Sequence, residues 1–133
     1  DVKRPSKLMQ WPIQLHLISP MAPYYKGKDV LLSADCVAYS TGDFHKDYLS
    51  GRSIAIACPK LDSDLDEYTE KIRSLIDDAH IKSLTIMIMQ VPCCRGLVQI
   101  ALDAKKMAKR KVPVKYMIVG INGEILEEQS ISE

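Results

Sequence analysis

The chain has 133 residues, 18 basic against 17 acidic side chains and 47% hydrophobic residues, which predicts about one domain able to hide roughly two-thirds of its unfolded surface without disulfide staples. A net charge of +1 lacks the basic footprint of a dedicated nucleic-acid binder, and no apolar run approaches the ~18 residues of a membrane span. The N-terminus, Asp1-Val2-Lys3-Arg4-Pro5, has no apolar signal-peptide core; the expected setting is cytoplasmic and reducing, and a first residue other than Met predicts a piece of a longer chain.

Ile13, Leu15 and Leu17 alternate with Gln14 and His16, the period of a strand with one wetter face, so a first strand is expected over Ile13 to Ile18. Pro20 and Pro23 leave room for a short helical turn around Tyr24 and Tyr25. Val30 to Ala34 and Ile54 to Ala57 are short apolar runs bounded by turn formers, as buried strands are, with a short helix between them over Asp43 to Leu49. Leu65, Tyr68, Ile72, Leu75 and Ile76 recur at helical steps, and Ser63 three residues ahead of Asp66 resembles a capping box at the start of that helix. Leu84 to Val91 is apolar nearly throughout, so it reads as a central strand covered on both faces.

A second helix is expected from about Cys94 to Arg110, burying Leu97, Val98, Ala101, Ala104 and Ala108. The cations Lys105, Lys106, Lys109, Arg110 and Lys111 at its end complement the negative pole of the helix rather than marking an anion site. Val114 to Val119 is the next strand, and Asn122-Gly123 signals a hairpin returning through Ile125 and Leu126. Strands alternating with helices imply parallel pairing through right-handed crossovers. The predicted fold is a single three-layer α/β domain over 1–133, with a mostly parallel, flavodoxin/Rossmann-like sheet and a C-terminal hairpin.

Cys36, Cys58, Cys93 and Cys94 form no C-x-x-C pair, so spacing supports neither a thioredoxin-type site nor a zinc ribbon. Their places in the predicted fold say more, since each follows the carboxyl end of a strand. In an open parallel sheet those ends share one edge, and that edge is where ligands bind. Four thiols gathered there suit a soft metal centre, either an iron-sulfur cluster or tetrahedral zinc. Cys93 and Cys94 precede a helix, whose N-terminal dipole favours the thiolate. Neighbouring side chains that diverge fit the span of a 4Fe-4S cubane better than one zinc tetrahedron. Arg95, Lys60, Gly96 and the backbone nearby are the expected supports around a negatively charged cluster. His45, nine residues after Cys36, is a further candidate to ligate or to donate a hydrogen bond.

The strings Gln10-Trp11-Pro12-Ile13-Gln14-Leu15-His16-Leu17, Ala34-Asp35-Cys36-Val37-Ala38, Ile56-Ala57-Cys58-Pro59-Lys60-Leu61-Asp62 and Val91-Pro92-Cys93-Cys94-Arg95-Gly96-Leu97 together resemble one group. It is the C-terminal domain of ferredoxin-like 4Fe-4S iron-sulfur proteins of anaerobic bacteria and archaea, and the likeness spans about Leu8 to Ile125. The resemblance implies an electron-transfer or redox-sensing domain rather than a self-contained enzyme. It also implies an N-terminal ferredoxin domain of the same protein, missing from this chain, or a redox partner protein, as the electron partner.

Two other readings use the same residues: a zinc-binding interaction module on the four cysteines, and a thiol-redox or sulfur-transfer enzyme in which Arg95 lowers the pKa of Cys93 or Cys94. His16, within an apolar alternation, and His80, at a helix end, read as structural. The block Asp43, His45, Asp47 and Tyr48 has no nucleophile at a recognisable spacing. Phosphate-loop, dinucleotide and zinc-protease fingerprints are absent.

Overall fold

A computed structural model describes residues 2–60, 65–91 and 95–131. After a one-turn helix at Pro23–Tyr25, the elements are β1 (Asp29–Ala34), α1 (Val37–Ser40), a wide helical turn at His45–Leu49, β2 (Ser53–Ala57), α2 (Leu65–Asp77), β3 (Ser83–Met89), α3 (Arg95–Met107), β4 (Val114–Val119) and β5 (Ile125–Ile131). They build one five-stranded sheet in the order β2-β1-β3-β4-β5. The first four strands run parallel and β5 returns antiparallel to β4. This is the α/β class with a closing hairpin that the sequence predicts.

Right-handed crossovers place the layers. The step from β1 out to β2 puts α1 and the His45–Leu49 turn on one face, while the steps from β2 to β3 and from β3 to β4 put α2 and α3 on the other, where the two helices pack together. The central strands are covered on both sides: every residue of β1 after Asp29 is buried, as is every residue of β3 after Ser83. Such strands cannot show an in-out alternation, which is why they read as continuous apolar runs. In α2 the buried side chains are Tyr68, Ile72, Leu75 and Ile76, the stripe the helical spacing selects. Its capping-box start, and the residue Cys94 where the second helix was expected to begin, lie outside the described residues. Within α3, Leu97, Ile100, Ala101 and Ala104 are buried; Val98 and Ala108 pack at the margin.

The expected first strand does not form. Gln14 makes a single bridge to Ile56, in which Leu15 N–H donates to Ile56 O and Ile56 N–H donates to Ile13 O, both at 2.8 Å. The chain then turns, with Leu17 and Ile18 N–H both donating to Gln14 O. The alternation fails because Leu15 and Ile18 go inward while Leu17 is 68% exposed. Lys71 of α2 holds this turn from below, its ammonium donating to the carbonyls of Leu15, His16 and Ile18 at 2.9, 2.6 and 3.0 Å. His16 rests on the Tyr68 ring, centroids 4.5 Å apart, and His80 takes a left-handed φ of 55° beyond the end of α2.

At the far end of α2, Asp77 joins the two helices. Its carboxylate accepts from the backbone N–H groups of Arg110 and Lys109, each at 2.9 Å, and from Arg73 at 3.2 Å. Arg110 returns a hydrogen bond from its guanidinium to Ile76 O. Of the residues after α3, Arg110 thus belongs to the joint between the helices through its guanidinium and its amide, and Lys109 through its amide. The amide of Arg110 first, then that of Lys109 and the Arg73 side chain, hold the Asp77 carboxyl below the usual carboxylate range. A carboxyl whose pKa is lowered by folding stabilises the fold above its unfolded value near ~3.9, and that stabilisation is lost as pH falls through the lower, folded value. Asp77→Asn is therefore expected to cost about 1–2 kcal/mol at neutral pH, from weakened charge-assisted bonds. The gap to the parent protein should narrow as the pH of a denaturant titration is taken below ~3; a gap independent of pH would assign the loss to packing instead.

Val119 leads into the hairpin, where Gly123 N–H donates to Gly120 O and Gly120 N–H to Glu124 O, both at 2.9 Å. Gly123 has φ +89°, and a Cβ there would lie 2.5 Å from Ser40 O. The hairpin tip can therefore lean on the end of α1 only as glycine, which ties the outer edge of the sheet to the thin layer above β1 and β2.

Candidate functional site

The sheet reverses its winding between β1 and β3: β1 is followed by a step outward to β2, and β3 by a step the other way to β4. A crevice outside the carboxyl ends of the strands at such a point is the ligand position favoured by open α/β sheets. Cys36 comes two residues after β1, at the cap position of α1, and is exposed. Cys58 comes one residue after β2 and is half-buried. The two strands are hydrogen-bonded neighbours with Ala34 opposite Ala57, and Asp35 N–H continues the pairing by donating to Ala57 O at 3.2 Å. These two cysteines therefore leave adjacent strands at one edge, as the sequence reading expects.

Cys93 and Cys94 lie outside the described residues. The anchors on either side of them do not: Val91 follows β3, and Arg95 opens α3. Gly96, in the first turn of α3, lies beside the Cys58 loop, where a Cβ would make an ordinary contact with Pro59 Cβ at 3.4 Å. The start of α3 and the residue after Cys58 are thus in contact. Among the described residues, no group of three or more His, Cys, Asp or Glu side chains could hold a metal ion.

The other expected site residues divide between two places. Lys60 is exposed, two residues beyond Cys58. Arg95 lines a shallow groove on the α3 face with Tyr116, Ile118 and Glu127, where the Tyr116 hydroxyl donates to Glu127 at 2.6 Å and that bond raises the phenol pKa. His45 lies on the opposite face, in a cleft that Cys36 does not line.

That cleft is absent from the sequence reading. A full-length first helix would cover β1 and β2, but α1 is a single turn, and the cover is completed by the His45–Leu49 turn and by the N-terminal segment around Arg4 to Leu8. Lys7 N–H donates to His45 Nδ1 at 3.0 Å, and Arg4 pairs with Asp43. Between this cover and the sheet is a cavity of about 790 Å³ floored by Ile13, Ala34, Ile54 and Ile56. No local motif encodes it, because its walls come from parts of the chain some forty positions apart, as Lys7 and His45 are.

A family model described as a Rossmann-like domain matches residues 22–133. An uncharacterized protein of Archaeoglobus fulgidus is 29% identical over 119 residues, covering 90% of this chain and 83% of its own. No solved structure matches the chain. No helix among the described residues is long and apolar enough to cross a membrane.

Proposed function

Because the chain belongs to the Rossmann-like domain family, whose open sheets bind ligands beyond the carboxyl ends of their strands, we propose that this edge carries a 4Fe-4S cluster on Cys36, Cys58, Cys93 and Cys94. The domain then transfers or senses electrons, in exchange with an adjoining ferredoxin domain or a redox partner protein. The observation that supports this most is the departure of Cys36 and Cys58 from adjacent parallel strands at one edge, with the Cys58 loop in contact with the start of α3 through Pro59 and Gly96. The likeness of the three cysteine-bearing strings, together with that of Gln10 to Leu17, to ferredoxin-like iron-sulfur proteins points the same way.

The donor set fits such a group. Thiolates are the soft ligands iron-sulfur clusters take, and a bound cluster would supply a one-electron couple tuned by charge and hydrogen bonding. The chain's own part is to present thiols and to offset negative charge. Cys36 and Cys58 come from the two strand ends, and the pair before Arg95 comes from the connection into α3. Lys60 and Arg95 add positive charge on either side of the cysteine segments, and Gly96 lies where the first turn of α3 meets Pro59. His45 has neither role in this reading, since it lies in a cleft that neither Cys36 nor Cys58 lines.

Anaerobic reconstitution of the protein with ferrous iron and sulfide tests this. Iron and acid-labile sulfide are expected in equal amounts, with a broad visible absorbance lost on replacing either Cys36 or Cys58 with serine. Uptake of zinc without colour on the same thiols would replace the proposal with the zinc-binding module, and uptake of neither would overturn both.

A further inference from the structure

We propose that the cleft over β1 and β2 is a second site, built for a small amphipathic organic anion: an apolar or aromatic body carrying one carboxylate. At about 790 Å³ its volume lies within the roughly 300–1,000 Å³ of small-molecule pockets. The floor of Ile13, Ala34, Ile54 and Ile56, with Phe44 and Leu49 above, offers an apolar bed to a hydrocarbon or ring.

The polar groups around that bed are mostly donors. Arg4 is neutralised by Asp43, which leaves Lys7 and Lys46 against the single carboxylate of Asp35, itself engaged by Gln14 at 3.4 Å. Because His45 Nδ1 accepts from Lys7 N–H, the neutral ring carries its proton on Nε2, which is a donor. Thr41 also lines the cleft and is 6% exposed, and its hydroxyl has no hydrogen-bond partner among the described residues; nor has Asp43 Oδ1, whose charge Arg4 offsets. A buried hydroxyl without a partner is costly unless something else satisfies it. A ligand that accepts hydrogen bonds and carries a negative charge answers the donor excess; an uncharged or cationic one does not.

The test uses anilinonaphthalene sulfonate, a planar aromatic anion that becomes fluorescent when bound, and competition by octanoate against octanol. One saturable site per chain is expected, with octanoate displacing the probe about tenfold more effectively than octanol, the equivalent of one strong charge-assisted contact. Ala38→Trp, at an exposed lining position, fills the mouth and should abolish binding. Lys46→Glu, also exposed and so without consequence for folding, should weaken octanoate about fivefold or more while leaving octanol unchanged. Equal competition by the two would overturn the anion preference. Binding that survives both substitutions would place the probe elsewhere, on exposed apolar residues such as Trp11 and Leu17, and would overturn the site, as would an absence of saturable binding.

Discussion

Lys71→Met is expected to lower stability by about 2–4 kcal/mol, read as a shift of the urea or thermal unfolding midpoint. Its ammonium donates to three carbonyls of the Leu15–Ile18 turn and lies 3.4 Å from Glu67, with the side chain 16% exposed. Each hydrogen bond from a charged donor contributes about 1.5–3 kcal/mol. The sum is reduced because methionine retains the apolar stem and water can reach part of the turn. Since Leu15 and Ile18 are buried under that turn, its loosening should also free the N-terminal segment, so protease cleavage before Ile18 should accelerate in parallel. A loss below about 1 kcal/mol with unchanged proteolysis would mean that the turn stands without its lysine.

The second large effect is expected at Gln10. The buried amide spans the N-terminal segment and β2: its Oε1 accepts from Ile54 N–H at 2.8 Å, and its Nε2 donates to Tyr25 Oη at 2.8 Å and to Ile54 O at 3.0 Å. Gln10→Leu removes the partner that the edge amide of Ile54 has among the described residues, and an orphaned buried donor costs about 1–3 kcal/mol. Tyr25 keeps its own bond to Ile54 O, at 2.8 Å, so Tyr25→Phe should cost about 1 kcal/mol, and the two losses should not add, because the side chains share one network. Simple additivity in a double-mutant cycle would contradict this. Burial pushes the Tyr25 phenol up to about 12, so its titration should follow unfolding in alkali rather than precede it.

How much of this was legible depended on whether the cause was local. Helix α2 was readable because its buried stripe recurs at helical intervals, and the hairpin because Asn122-Gly123 supplies the positive φ the turn needs. Strands β1, β2 and β3 were readable as apolar runs for the reason that they are covered on both faces. The segment after Ile13 misled because alternation of apolar and polar residues is also what a turn produces when a distant ammonium, that of Lys71, satisfies its carbonyls. Helix α1 was missed because four residues carry no periodicity. For the candidate site, the placement of Cys36 and Cys58 followed from strand ends alone, whereas the place of His45, in a cleft that Cys36 does not line, depended on how the N-terminal segment packs over the α1 layer. The cleft could not be read at all, since the segment that roofs it has no pattern of its own.

The two borders of the sheet are closed by different means. Beside β2, the bridge at Gln14 and the amide of Gln10 occupy backbone groups that would otherwise invite another strand. Beyond β4, the last strand is wet along nearly its whole length and carries Glu127 and Glu128 in succession, so a second molecule approaching in register would bring like charges together. Concentrated solutions of this protein should accordingly resist growing into fibrils by lateral addition, and removing those two carboxylates is where such a liability would first surface.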